Sequence, residues 1–218
     1  NQVRYGRSTR DSVTTAPRFA SNDSLVINRN GPSWITEDDI FDNQTDLRVG
    51  FETGEIKHTL VTGLALSREQ NIRVTRTVAG APPTMLYNPD PDEPFNGTTT
   101  ISPNVGDVTG DSLAVYAFDT LKFGNQWELN GGVRWDRFAV DGVNTAAVPV
   151  ERTDRMFGFR GGVVYKPKSN GSVYAAIGNS LDPSLEGLSY GTANTAIGPE
   201  KTYNLELGSK WDLLGEKL

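Results

Sequence analysis

The stretch that decides the fold is Gln126–Asp136, QWELNGGVRWD, in which two kinds of side chain alternate. In an extended chain one side would carry Trp127, Leu129, Gly131, Val133 and Trp135. The other side would carry Glu128, Asn130, Gly132, Arg134 and Asp136. Because successive side chains of a strand point to opposite faces, this period of two predicts a β-strand whose faces meet two different solvents.

The same alternation recurs in Asp46–Glu52, Met156–Tyr165 and Thr202–Leu213. In three of the four segments two aromatic residues stand eight positions apart on the apolar side: Trp127 and Trp135, Phe157 and Tyr165, Tyr203 and Trp211. Eight residues span roughly 26 Å along a strand. At a tilt of about 40° this is roughly 20 Å of height, close to the apolar band of a membrane barrel. We therefore predict that these six residues form the two membrane girdles.

The connections between the predicted strands alternate in length. Short turns containing glycine are predicted at Thr53–Glu55, Phe123–Asn125, Pro167–Gly171 and Leu214–Glu216, and long loops at Ala79–Val108, Asp141–Thr153 and Asp182–Pro199. Outer-membrane barrels have short periplasmic turns and longer extracellular loops, so the pattern also orients the chain. About eight strands result: Asn1–Thr15, Leu25–Glu52, Ile56–Val78, Gly110–Lys122, Asn125–Val140, Arg155–Lys166, Ser172–Leu181 and Glu200–Leu213.

The predicted fold class is therefore all-β: an antiparallel transmembrane β-barrel segment built as a meander of hairpins, with residues 1–218 as one partial barrel domain. Only 36% of the 218 residues are hydrophobic, and no apolar run approaches the length of a membrane helix. The net charge of -6 disfavours a nucleic-acid partner. Cysteine is absent, which excludes disulfides and thiolate chemistry. The first residues already read as strand and the last as a turn, so we expect a fragment of a longer protein.

Candidates for chemistry are few, and no catalytic residue, cofactor or metal site is predicted. The single histidine, His58, is expected to be an interfacial strand residue near the periplasmic rim. Asn88–Glu93 offers several oxygens that suit calcium, but its prolines do not fit an EF-hand loop, and a solvated extracellular loop is favoured.

The polar side of the strands carries both signs of charge. The predicted lumen-facing residues are Arg48, Asp119, Glu128, Arg134, Asp136, Arg160, Glu206 and Lys210. They fit either a polar wall around a plug or solute path, or a solvated face that pairs its own charges.

Several segments, in order along most of the chain, resemble the TonB-dependent siderophore receptors, especially the catecholate type. They are Asn1–Ser8 with Thr15–Arg18, Asn43–Leu47 running to His58–Leu64, Val115–Thr120, Gly132–Asp136, Leu181–Ser184, and Gly198–Lys201 continuing to Glu206–Asp212. The resemblance implies a plugged barrel of 22 strands in the bacterial outer membrane. It also implies uptake of a ferric siderophore, energised by the TonB-ExbB-ExbD complex through the plug. Plug and terminal strands are missing here, so the chain resembles a middle portion of such a barrel, in contact with outer-membrane lipid.

If the resemblance holds, the ligand should bind near the extracellular mouth. Ferric catecholates are anionic and aromatic, and arginine and aromatic side chains suit them. The candidates at that rim are Arg73, Arg76, Tyr87, Phe95 and Tyr190. Two other functions stay open: a passive outer-membrane porin or sugar channel, and a soluble β-sandwich carbohydrate-binding module that would bury Trp127, Trp135 and Trp211. An enzyme has little support.

Overall fold

The structure, a computed structural model, describes residues 1–185, 188 and 197–212, apart from the side chain of Asn30. The strands are β1 (Gln2–Val13), β2 (Ala16–Phe19), β3 (Val26–Asn30), β4 (Ser33–Thr53), β5 (Ile56–Ala79), β6 (Thr84–Met85), β7 (Thr98–Phe123), β8 (Trp127–Val143), β9 (Pro149–Lys168), β10 (Gly171–Asp182) and β11 (Glu200–Trp211). Within these residues no helix is long and apolar enough to cross a membrane.

Eight of the strands form one antiparallel sheet in the order β1-β4-β5-β7-β8-β9-β10-β11. This confirms the predicted hairpin meander, and its open edges are β1 and β11. The other three strands, β2, β3 and β6, form a small separate sheet.

Three tight turns join neighbouring strands at the end of the sheet predicted to be periplasmic. Thr53 pairs with Ile56 across the first turn, and Gly54 there has a φ of 63°, a conformation that side chains disfavour. Gly124 in the second turn has a φ of 58°. The predicted turn Leu214–Glu216 lies outside the described residues.

At the opposite end the strands run further than predicted. β7 begins at Thr98 rather than Gly110, and β9 begins at Pro149 rather than Arg155. The predicted loops at 79–108 and 141–153 therefore shrink to residues 80–97 and 144–148. Alternation of side-chain polarity fades where both faces meet water, so the sequence pattern ends before the backbone pairing does.

The prediction that Leu25–Glu52 forms one irregular strand is wrong. Gly31 and Pro32 separate β3, which pairs with β2 and β6, from β4, which pairs with β1 and β5. Proline cannot donate to a ladder of hydrogen bonds, so the break falls there.

Strand register divides the side chains into two faces, because directly paired residues point the same way. Val133 pairs with Ala117 and Phe159, which places all three on one face with the predicted girdle residues. We call this the apolar face, and the other the inward face. Seven of the residues predicted to face the lumen share the inward face: Arg48, Glu128, Arg134, Asp136, Arg160, Glu206 and Lys210.

Asp119 is the exception among the predicted lumen-facing residues. It pairs with Leu60 and Gly131 and so lies on the apolar face, between Ala117 and Leu121. Its Oδ2 lies 2.7 Å from Nδ1 of His58, whose ring stacks on Phe51 at 4.5 Å between centroids. The charge type of Asp119 suggested the lumen, but its position in the alternation assigns it to the other face.

A hydrophobic cluster covers the inward face beyond the apolar band. Leu185 and Leu188, from the connection after β10, pack on Val108, Val140 and Val150. Ser184 donates a hydrogen bond of 3.2 Å to Asp154. Ser184, Leu185 and Leu188 therefore lie over the inner wall.

Candidate ligand site

The strongest cluster of functional side chains lies on the inward face of β1, β4 and β5, near the predicted extracellular end. Arg10, Thr36 and Arg73 are directly paired across the three strands. Both guanidinium groups lie within cation–π distance of the Trp34 ring, that of Arg73 at 4.6 Å and that of Arg10 at 5.9 Å from its centroid.

The polar atoms of this cluster are incompletely satisfied. Nε of Arg73 and Oγ1 of Thr36 are buried and lack a hydrogen-bond partner among the described residues. Burial and the like charge of Arg10 lower the pKa of Arg73. Two cations, a buried hydroxyl and an indole face form a site that suits an anion with an aromatic ring.

An open cleft of about 450 Å³ adjoins this cluster on the same face. Its lining includes Gly6, Ser8, Asp38, Ile40, Glu69 and Leu188. Asp38, the next inward residue after Thr36, accepts a hydrogen bond from Asn71. The cleft therefore carries acidic side chains, whereas the neighbouring cluster carries basic ones. It lies on the inward face, between the cluster and the membrane band.

The structure describes four of the five predicted ligand residues and does not bring those four together. Arg73 lies in the cluster, but Arg76 lies beyond a register shift after Val74 and forms a bidentate ion pair with Asp11. That pairing raises the pKa of Arg76 and lowers that of Asp11. Arg76 is therefore neutralised on the apolar side of the sheet, and nothing in its contacts supports the predicted role.

The two described aromatic candidates lie outside the cluster of Arg10, Trp34 and Arg73. Tyr87 is 69% exposed beside the small sheet. Phe95 lines a separate cavity of about 260 Å³ together with Arg29 and Glu93. Tyr190 lies outside the described residues.

The segment Asn88–Glu93 uses its oxygens locally. Arg29 donates to the Asp90 carbonyl at 2.9 Å and lies 3.8 Å from Glu93. The Asp90 carboxylate accepts the Asp92 N–H at 2.9 Å. These contacts fit the favoured interpretation of an ordinary loop.

On the inward face within the band, several polar side chains form ion pairs or hydrogen bonds with one another. Arg134 lies 2.8 Å from Asp136, and Lys166 lies 3.6 Å from Glu128. Tyr174 donates to Glu206 at 2.8 Å. Charge pairing within the wall, one of the two interpretations above, therefore accounts for several of these residues.

Sequence reasoning missed Arg10, Trp34 and Thr36. The signal that could have found them is the tight turn at Gly54-Glu55. Pairing Thr53 with Ile56 fixes the hairpin register, and counting outward places Thr36 opposite Arg73.

An antiparallel meander with an apolar outer face and a polar inner face defines the chain as part of a β-barrel. The family model described as "TonB dependent receptor-like, beta-barrel" matches residues 1–216. The chain belongs to this family, whose members lie in the bacterial outer membrane.

Individual relatives agree with the family match. The chain is 35% identical to a probable TonB-dependent receptor, BfrD, of Bordetella pertussis and 26% identical to the catecholate siderophore receptor Fiu of Escherichia coli K12. Each match covers 100% of this chain and 34% of the relative. The crystal structure of Fiu in its closed form superposes with a TM-score of 0.77 at 26% identity, over 98% of this chain and 36% of that one. The siderophore receptor PiuA of Acinetobacter baumannii gives a TM-score of 0.82 at 24% identity, covering 97% and 35%, and supports the fold alone.

The chain thus spans about a third of the length of the relatives it matches. These matches do not favour a porin or a carbohydrate-binding sandwich. The structure also disagrees with the sandwich, because Trp127 and Trp211 are 47% and 46% exposed rather than buried in a core.

Proposed function

We propose that this chain is the part of a ferric siderophore receptor that supplies one side of the ligand vestibule. The observation that carries the proposal is the Arg10–Trp34–Arg73 cluster, which lies on the inward face of this chain, above the apolar band. The activity is transport: capture of the ferric complex, movement of a plug and release inward, with energy from the TonB system. No covalent chemistry is required of this wall.

An anionic catecholate complex fits the cluster by charge and shape. The two guanidinium groups would attract its negative charge, and the indole and guanidinium planes would stack on its rings. Because Nε of Arg73 and Oγ1 of Thr36 are buried without partners, a ligand oxygen that reached them would recover hydrogen bonds that the wall alone leaves unmade.

The test uses the complete receptor in detergent, with radiolabelled ferric dihydroxybenzoate as the ligand. Arg73→Ala removes a charged contact and should weaken binding roughly tenfold to a hundredfold. Trp34→Ala should weaken it by removing the stacking surface. Arg76→Ala is the matched control, since it removes a guanidinium three residues away on the same strand that Asp11 already neutralises.

Unchanged affinity in both the Arg73 and the Trp34 variants would remove this cluster from the binding site. Equal loss in the Arg76 variant would point to a general effect of net charge rather than to a site. Retained heat-modifiable mobility of each variant in gels establishes that its barrel has folded.

A further inference from the structure

We propose that the acidic cleft beside the Arg10–Trp34–Arg73 cluster binds a protonated amine carried by the siderophore, with Asp38 as the counter-ion. The inference rests on the proposed function, since the amine belongs to the ligand whose ferric chelate the cluster binds. It narrows the ligand class from any anionic catecholate to a catecholate with a positively charged side arm. The two charges of such a ligand would meet two separate parts of the same wall.

Strand register gives the distance between the cluster and the cleft. Thr36, Asp38 and Ile40 are successive inward residues of β4. Thr36 belongs to the row of paired residues that contains the two arginines, so Asp38 lies two residues and Ile40 four residues below that row. At about 3.3 Å per residue these offsets are roughly 7 Å and 13 Å. A short flexible arm therefore connects a chelate at the cluster with a cation in the cleft.

The carboxylate of Asp38 has no cation within ion-pair distance in the described part of the chain. Its hydrogen-bond donor there is Asn71, a neutral amide. Arg7 and Asp39 also line the cleft, but register places both on the other face, where Arg7 donates two hydrogen bonds of 2.7 Å to Asp39. Because a carboxylate offers about four acceptor sites, Asp38 keeps capacity for an ammonium group.

Two buried polar atoms next to the cleft point to a ligand rather than to a solvated acidic surface. Thr36 is 5% exposed, and its Oγ1 has no hydrogen-bond partner among the described residues. Nε of Arg73, on the residue paired with Thr36, is in the same condition. Since Thr36 precedes Asp38 on the inward face of β4, a ligand that reaches from the cluster to Asp38 passes these atoms and can satisfy them.

The remaining lining of the cleft suits the aliphatic part of an amine side arm. Its volume of about 450 Å³ is within the range of small-molecule sites. Ile40 and Leu188 supply apolar surface, and Glu69, which pairs with Ile40, adds a second carboxylate. An arm of methylenes with a terminal ammonium would lie along the apolar residues and keep its charge at a carboxylate, as lysine side chains do on protein surfaces.

The experiment compares two ferric complexes on the complete receptor in detergent. Both chelators are dihydroxybenzoyl-lysine amide, one with a free ε-amine and one with that amine acetylated. They share the same catechol and the same methylene arm, and they differ in the positive charge at its end. Titration calorimetry should show that the unmodified receptor binds the amine form about fivefold more tightly, which is the effect of an exposed ion pair.

Asp38→Asn removes the negative charge and keeps an oxygen that accepts the hydrogen bond from Asn71. This variant should bind the amine form about fivefold more weakly and the acetylated form like the unmodified receptor, which also shows that it has folded. The matched control is Asp42→Asn, on the same face of β4, where Arg4 already neutralises the carboxylate at 3.3 Å. The control should keep the preference for the amine form.

Equal binding of the two complexes by the unmodified receptor, while Arg73→Ala weakens both, would exclude the amine site and leave the proposed function standing. A preference for the amine form that survives Asp38→Asn would likewise overturn the proposal. If Arg73→Ala changed the binding of neither complex, the proposed function would fail. The amine site would fail with it, because the cleft is assigned by its distance from the cluster.

Discussion

Phe118 lies directly across from Gly132, and its ring covers the glycine on the inward face. On the far side of the glycine, Arg160 reaches over it and places its guanidinium 4.1 Å from the ring centroid of Phe118. Two more directly paired couples show an aromatic ring over a glycine: Tyr116 covers Gly63, and Tyr174 covers Gly208. In each case the absent side chain leaves the space that an aromatic ring fills, a known way of supporting glycine in a sheet.

The two neighbouring glycines of β8 give the first prediction. A Cβ at Gly132 would overlap the ring of Phe118 and the backbone oxygen of Ala117, whereas at Gly131 its nearest neighbour would be the Arg160 oxygen at 3.8 Å. We expect Gly132→Ala to destabilise the barrel by about 1–3 kcal/mol through overpacking. Gly131→Ala should change the free energy of unfolding by less than about 0.5 kcal/mol. Urea unfolding in detergent measures both changes in the free energy of unfolding. Equal changes would show that the Phe118 ring can be accommodated without a glycine at position 132.

The strand pattern was predictable because hydrocarbon imposes a strict rule on alternate side chains. Val133, Phe159 and Leu207 lie on the apolar face as their sequence periods require. The rule fails beyond the band, where β7 and β9 continue through water-exposed sequence such as Ser102–Asp107. At Asp119 the residue type alone misleads, because the alternation places this carboxylate on the apolar face, where it contacts His58.

The ligand cluster was only partly predictable, because it depends on pairing between strands rather than on any local motif. Arg73 was found from its charge and its place near the mouth. Its partner Trp34 is 39 positions away in the chain and becomes a neighbour only through the β4–β5 register. Arg76 has the same charge as Arg73 but lies three residues further along the same strand, so the alternation of side chains places it on the other face. Its ion pair with Asp11 depends on the register between strands rather than on a local motif.

The girdle assignment yields the second prediction. In single-tryptophan variants of the reconstituted receptor, brominated lipids should quench Trp127 and Trp135, because both lie on the apolar face. Bromines near the headgroups should quench more than bromines at the chain ends, since the two residues sit at the edges of the band. Trp34, on the inward face beyond the band, is the control and should not be quenched. If brominated lipids did not quench Trp127 and Trp135, the assignment of the apolar face to the lipid would be wrong.

A third prediction concerns charge at mid-band. Val133 is 44% exposed on the apolar face, between Ala117 and Phe159. Val133→Arg should cost about 2–4 kcal/mol, the penalty for a cation near the bilayer midplane. Asn130→Arg, three residues earlier and facing inward, should cost much less. Unfolding free energies in lipid vesicles measure the difference, and similar costs would contradict the face assignment.

The fourth prediction concerns Leu185, which follows β10 and is buried against the inner wall. Leu185 is 3% exposed against Val108, Val140 and Val150, and its carbonyl accepts the Leu188 N–H at 3.1 Å. Leu185→Ala removes buried apolar contacts that typically contribute about 2–5 kcal/mol. Because these contacts anchor a connection rather than the sheet, the loss should appear as local opening.

Amide hydrogen exchange measures that opening. Exchange at Leu188 should become at least about tenfold faster in Leu185→Ala, while the amides of β8 and β9 keep their protection. Ile197→Ala is the control, because Ile197 belongs to the same connection and is 59% exposed. If exchange at Leu188 were the same in both variants, Leu185 would not be the anchor. The hydrogen bond from Ser184 to Asp154 would then be the next contact to test, by Ser184→Ala.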